Sequence, residues 1–141
     1  MDLQEIGDRL ALRELVDRYA SIPDDRDYAL VDVLFTEDAV LSAPEFRLEG
    51  RDAIREAMRG IERYEATLHA MHQQRVEIDG ANATGEVYCV ANHIERTADG
   101  LVKLDWGIRY RDRYRREGAG WRIAARELHR VWEQRALLPP G

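Results

Sequence analysis

The chain changes its hydrophobic period once, near Glu65, and this change constrains the architecture more than any other feature. Before it, apolar residues recur every three or four positions, the spacing of a helix face. Leu3, Ile6, Leu10, Leu15, Val16 and Tyr19 follow this rule, and Pro23, which lacks an N–H and restricts Ile22, predicts the end of that helix. A polar turn, Asp24-Asp25-Arg26-Asp27, follows, then a second short helix over Tyr28 to Phe35. Ala39-Val40-Leu41 suits a strand, and Gly50 precedes a third helix with Ile54, Met58 and Ile61 on one face. After Glu65 the period becomes two, the signature of strands. Runs over Thr67 to Asp79, Ala83 to Thr97, Leu101 to Glu117 and Trp121 to about Trp132 are separated by Asp79-Gly80-Ala81-Asn82, Ala98-Asp99-Gly100 and Gly118-Ala119-Gly120. Three helices followed by consecutive long hairpins predict an α+β domain: a curved antiparallel sheet with helices on one side and a concave interior.

At 141 residues the chain fits one domain, with a core over about 3–132 and a C-terminal tail over 133–141 whose end, Pro139-Pro140-Gly141, reads as disordered. The net charge of −6 argues against nucleic acid as a general partner. In the basic stretch Arg109 to Arg116, arginines alternate with Tyr110, Asp112 and Tyr114, which reads as the wet face of a strand. Cys89 is the only cysteine, so no internal disulfide can form. Met1-Asp2-Leu3-Gln4-Glu5 lacks the basic and apolar regions of a signal peptide, and no apolar run is long enough to span a bilayer. The expected location is the cytoplasm, with no membrane partner.

Phosphate loops, G-x-S-x-G and H-E-x-x-H are all missing from the sequence. His69-x-x-His72 has a spacing that a metal could use on a helix. On a strand the two point to opposite faces, so no metal is expected. Strict alternation groups His72 with Leu68, Ala70, Val76 and Ile78 and puts His69 on the other side; a bulge would reverse this, and spacing leaves the choice open. One parity of the next strand reads Ala83, Gly85, Val87, Cys89, Ala91, His93. Small side chains either leave room for a ligand beside His93 or accommodate a closely packed helix, with His93 satisfied in the core. Cys89 reads as a small buried hydrophobe. Asp24, Asp25 and Asp27 suit solvated caps, unless one faces an imidazole at a pocket rim.

From Leu3 to Trp132 the chain resembles the SnoaL-like branch of the nuclear transport factor 2-like superfamily. The resemblance rests on Arg18-Tyr19-Ala20, Asp24-Asp25-Arg26-Asp27-Tyr28, Leu34-Phe35-Thr36-Glu37-Asp38-Ala39, Glu49-Gly50-Arg51-Asp52-Ala53-Ile54, Thr67-Leu68-His69, Ile78-Asp79-Gly80 and Gly120-Trp121-Arg122-Ile123. It implies a cone-shaped sheet wrapped around three N-terminal helices. Within the superfamily the chain is most similar to the scytalone dehydratase-like group, which implies an Asp after the first helix and two His on neighbouring strands as catalytic residues. Asp24, His69 and His93 match those positions. The match selects His69 over His72 and so implies a bulge within Thr67 to Gln74. Scytalone dehydratase itself has a Tyr directly before its Asp and a second pocket Tyr; here Pro23 stands in the first place and none falls in Leu41 to Ala43. Tyr19 and Trp106 are the alternative candidates for contact with a substrate oxygen.

The constellation suits proton abstraction next to a carbonyl, with loss of water or a double-bond shift, and needs neither metal nor organic cofactor. His69 is the expected base, with Asp24 orienting His93. Tyr19, Phe35, Met58, Cys89 and Trp106, with Val87 and Ala91, are expected to line a cavity for a small, mostly apolar cyclic substrate. Two other classes stay open: a non-catalytic small-molecule binder, and an assembly module. A cofactor-free lyase or isomerase requires Asp24 and the imidazoles to converge around a void; a binder needs only the void. An assembly module needs an apolar outer face. Pairing into a homo-oligomer through the sheet suits all three.

Overall fold

The computed structural model describes residues 1–140; Gly141, the end of the expected tail, lies outside them. Helix α1 spans Leu3–Tyr19 and starts where the Asp2 carboxylate accepts from the amide of Glu5 at 2.8 Å. Its buried stripe is Asp8, Leu12, Leu15, Val16 and Tyr19. Leu3, Ile6 and Leu10 share the helical spacing but are exposed, because only the C-terminal half of α1 lies under the sheet. The N-terminal half is tied down by Asp8, which accepts from Trp121 Nε1 at 3.0 Å and from Arg116 at 2.7 Å.

Pro23 does not end the helical run at once. After a break at Ala20 the chain forms one further turn, α2 (Ser21–Asp24), where proline's missing N–H falls in the first turn and costs no hydrogen bond. Arg26, at φ 53°, then turns the chain. A 3₁₀ turn over Tyr28–Leu30 and α3 (Val31–Leu34) form the second helical segment. Strands β1 (Phe35–Ala43) and β2 (Phe46–Glu49) make a hairpin whose second arm the sequence reading lacked. Helix α4 (Arg51–Met58) continues into a 3₁₀ turn over Arg59–Arg63.

The period-two half forms β3 (Ala66–Asp79), β4 (Asn82–Thr97), β5 (Gly100–Glu117) and β6 (Gly120–Leu137). Strand β6 runs five residues past the expected end at Trp132. Its charged end has no apolar pattern but pairs with β5, Val102 opposite Leu137, and Arg135 meets Glu95 at 2.7 Å. Among the described residues the sheet order is β2-β1-β6-β5-β4-β3. Its pairs are antiparallel except β1 with β6, whose parallel pairing is possible because most of the chain lies between them. The helices pack on one face, around Leu12, Val16, Ile22, Val31, Phe35 and Ile54. This is the expected curved, unclosed sheet wrapped on its helices.

Alternation holds along β5: Tyr110, Asp112 and Tyr114 are buried while Arg111 and Arg113 are exposed. Asp112 therefore lies in the core, where it meets Arg126 of β6. The pair is fully buried and two-pronged, Nε to Oδ1 at 2.8 Å and Nη2 to Oδ2 at 2.7 Å, with Tyr114 donating to Oδ2 at 2.5 Å. Removing one partner strands the other as a buried charge. Asp112→Ala is therefore expected to lower the unfolding free energy by about 3–5 kcal/mol in a urea titration; a loss below about 1 kcal/mol would contradict the buried pairing.

Candidate active site

Strand β3 is an edge strand, so alternate N–H and C=O groups face no neighbouring strand. Side chains of α1 and α2 meet them. Arg13 donates to the carbonyls of Met71 and His72, and Arg9 to that of Val76. Asp24, at the end of α2, takes the donors: its Oδ2 accepts the His69 amide at 2.7 Å, and its Oδ1 accepts Thr67 Oγ1 at 2.8 Å. The same Oδ1 lies 2.8 Å from His69 Nδ1. Burial pushes the Asp24 carboxyl up, but the His69 ring and amide and the Thr67 hydroxyl outweigh it, and the group sits below the usual carboxylate range. An ionised carboxylate only accepts, so His69 Nδ1 is the donor to Asp24, and in the neutral ring Nε2 keeps a lone pair.

His69 faces inward because β3 shifts register between Met71 and Gln74. Ahead of the shift Thr67, His69 and Met71 face the helices; beyond it Gln74, Val76 and Ile78 do. His72 is exposed on the opposite side, so the two histidines cannot share an ion.

His93 lies on β4 opposite Thr67, diagonal to His69, with ring centroids 5.9 Å apart. Its Nδ1 donates to the carbonyl of Leu104 at 2.9 Å, which leaves Nε2 as an acceptor. Asp24 thus orients His69 and not His93, a correction to the expected pairing: the end of α2 abuts the edge strand β3, whereas His93 is one strand further in and finds its partner on β5. The His93 ring is clasped by Tyr64 and Trp106, each with its centroid 4.7 Å away. Burial holds its pKa below the ordinary histidine value; the bond to Leu104 opposes this, and nearby His69 and Arg63 reinforce it.

Both imidazoles line a cavity of about 420 Å³. Tyr19, Met58 and Trp106 line it as expected, joined by Pro23, Leu41, Ile108 and Tyr110; no acidic, lysine or arginine side chain does. Phe35, Cys89, Val87 and Ala91 do not line it. Phe35 is fully buried behind Tyr19, ring centroids 6.1 Å apart. The small residues of β4 accommodate packing instead: a Cβ on Gly85 would stand 2.8 Å from the Tyr114 ring. Burial pushes the Cys89 thiol up to about 12, so it is no nucleophile. Asp25 and Asp27 are exposed. Thr67, Tyr64 and Tyr110 escaped the sequence reading. Thr67 shares the parity of His69, a usable signal; the other two are brought in by tertiary packing.

A larger depression, about 1120 Å³, lies on the other face among Arg75, Glu86, Arg109, Arg111 and Arg113. Glu86 pairs there with Arg75 and Arg109, and no imidazole lines the depression.

The fold is a curved α+β sheet with an apolar interior, and the Asp24–His69 pair stands beside its cavity. The SnoaL-like domain is matched over residues 4–127, and the chain belongs to that family. The uncharacterised protein Rv2910c of Mycobacterium tuberculosis is 29% identical over 129 residues, covering 89% of this chain and 87% of its own. Among solved structures, the Kfla4162 protein of Kribbella flavida superimposes with a TM-score of 0.87 at 23% identity, covering 92% of this chain and 95% of that one. A putative scytalone dehydratase of Novosphingobium aromaticivorans gives 0.84 at 21% identity, over 92% and 88%. At these identities the structural likeness establishes the fold alone.

The depressed pKa of His93 has a measurable consequence. In an NMR titration its ring is expected to remain neutral below the pH at which an ordinary histidine protonates. The unfolded chain then binds the extra proton first, so this residue's effect is to lower stability as pH falls from the unfolded histidine pKa towards the folded one. A His93 titrating at or above the ordinary value would contradict the geometry.

Proposed function

We propose that the protein is a cofactor-free lyase or isomerase, acting on a small, mostly apolar, cyclic hydroxy-carbonyl compound. The observation that carries this reading is the Asp24–His69 pair, set at the edge of an apolar cavity with the base nitrogen Nε2 left free. In the dehydration, His69 Nε2 takes the proton from the carbon next to the carbonyl. The C–H electron pair moves onto the carbonyl oxygen as an enolate, which re-forms the carbonyl, makes the new carbon–carbon double bond and expels the β-hydroxyl. It takes the proton back from His69 and leaves as water. Asp24 holds Nδ1–H throughout and stabilises the imidazolium between the two transfers. His93, kept neutral by burial, offers Nε2 to the substrate hydroxyl and orients the leaving group. In an isomerisation the proton returns to carbon instead. Proton transfer and the loss of water need no oxidant or reductant, so the step calls for no redox group.

The cavity supports the substrate class. Its volume lies within the roughly 300–1,000 Å³ usual for small-molecule sites. Walls without ionised side chains favour a neutral ligand over a carboxylate or phosphate. The name of the scytalone dehydratase neighbour agrees with dehydration as the reaction. The test is turnover of a panel of hydroxy-ketones, steroids and small polyketides. With an active substrate, His69→Ala is expected to lower kcat by about 10²–10⁴. Asp24→Asn should also lower kcat, because it removes the charge that stabilises the imidazolium. A loss below about tenfold for His69→Ala would remove it as the base. Saturable binding without turnover across the panel would favour a non-catalytic binder.

In the same reading the protein works in the cytoplasm, where a lone buried thiol stays reduced, and pairs with a second copy through its outer sheet face. Among the described residues no helix is long and apolar enough to cross a membrane. A cross-strand row of Ala70, Val90, Gly107 and Trp132 supports the pairing. The Trp132 indole lies over Gly107, where a Cβ would come within 2.1 Å of it, and Trp132 remains 44% exposed. Light scattering is expected to give the mass of a dimer, and of a monomer for Trp132→Asp. A wild-type monomer at micromolar concentration would reject the pairing.

A further inference from the structure

Both imidazoles present lone pairs to the cavity, so they serve a substrate's protons and hydroxyls but not its carbonyl oxygen. That oxygen gains negative charge when the neighbouring proton leaves, and a site that accelerates the step must offer it donors. Trp106 Nε1 has no acceptor in the structure, but it is enclosed by protein and does not open to the cavity. The remaining polar groups of the lining are the phenols of Tyr19 and Tyr110. Their rings meet edge to face with centroids 5.8 Å apart. One guanidinium lies behind both: Arg126 Cζ is 4.3 Å from the Tyr19 centroid and 4.1 Å from that of Tyr110. A cation on the face of a phenol draws density from the ring and makes its O–H a stronger donor. Asp112 balances the charge of Arg126, so the cluster adds no net charge that would draw an anionic ligand. Burial raises the pKa of both tyrosines, so they remain protonated donors through the neutral range.

We propose that Tyr19 and Tyr110, polarised by Arg126, form the oxygen-binding pole of the cavity and donate to the substrate carbonyl as it gains charge. This rests on the proton-abstraction reading above. The tyrosines contact the substrate, and Arg126 is a positioning residue that acts through them. The phenols come from the end of α1 and from β5.

The test separates this proposal from the identity of the base. In a His69→Ala background the proposed base is removed, and 4-nitrophenolate serves as a stable mimic of an enolate, with nitrobenzene as the control that lacks the oxyanion. Binding is measured at a pH where the nitrophenol is ionised. Tyr19→Phe and Tyr110→Phe are each expected to weaken nitrophenolate by roughly tenfold and leave nitrobenzene unchanged. The absorption band of the bound anion should lie at shorter wavelength than in an aprotic solvent. It should move back towards that position in both Phe variants, and partly in Arg126→Lys. Unchanged nitrophenolate affinity in both Phe variants would overturn the proposal. So would an equal loss for both probes, which would assign the tyrosines to packing. If neither probe entered the cavity of the wild-type protein, the small cyclic substrate class would fall and this proposal with it. A proposal that failed here would leave the His69 turnover result standing.

Discussion

One carboxylate joins the helical half of the protein to its sheet. Asp24 accepts from Thr67 Oγ1, from the His69 amide and from the His69 ring, so it closes part of an open sheet edge and sets a histidine tautomer in the same act. The first task is structural: an edge strand offers unpaired amides, and an acid at the end of a short helix is a suitable acceptor. The second follows from it. An imidazole whose Nδ1–H is held by an anion has its other nitrogen free as a base. Structure and candidate chemistry therefore share an interaction, and α2 matters for both, because its single turn after Pro23 delivers Asp24 to β3.

The register shift of β3 is the second constraint. A strand with strict alternation could not face the cavity at His69 and pack Val76 and Ile78 on the helices, since these positions differ in parity. One local irregularity divides the strand into a segment that serves the cavity and a segment that serves the core. Arg13 and Gln74 hold the region to α1, the first through the carbonyls of Met71 and His72, the second through that of Leu12 at 3.2 Å. The bulge is thus anchored on both sides.

The interior is graded from dry packing to cavity. At the β4 end near Ala83 and Gly85, the space left by small residues is filled by Tyr114 and by α1. Towards His93 the interior opens into the cavity, lined from α1, α2, α4 and the sheet. Between these regions lies the cluster of Asp112, Arg126 and Tyr114, with Tyr19 and Tyr110 on its cavity side. Burying an ion pair in a core gives little net stability compared with an apolar packing of the same volume. Its place behind two cavity tyrosines supplies a reason for the pair beyond stability.

Much of the architecture was legible in the residues themselves. The change from period 3.6 to period two, and the Gly- and Asp-rich turns between the long strands, specify helices first and hairpins after, because local backbone preference and side-chain alternation are written residue by residue. The alternation of Arg111 and Arg113 with Tyr110, Asp112 and Tyr114 even marked the buried face of β5, though not that Asp112 would find Arg126 there. The candidate site was legible only in part: Asp24, His69 and His93 stood out by family resemblance, while strict alternation grouped His72, not His69, with the apolar positions and only a bulge could reverse it. Which imidazole Asp24 would hold, and that Phe35 and Cys89 would fall outside the cavity, depended on distances between segments far apart in the chain. Sequence alone determined the elements and their order, since those arise from neighbours along the backbone. Tertiary structure decided the tautomer of His69, the place of the void and the buried cation behind the tyrosines, because each requires groups from several elements to meet in space.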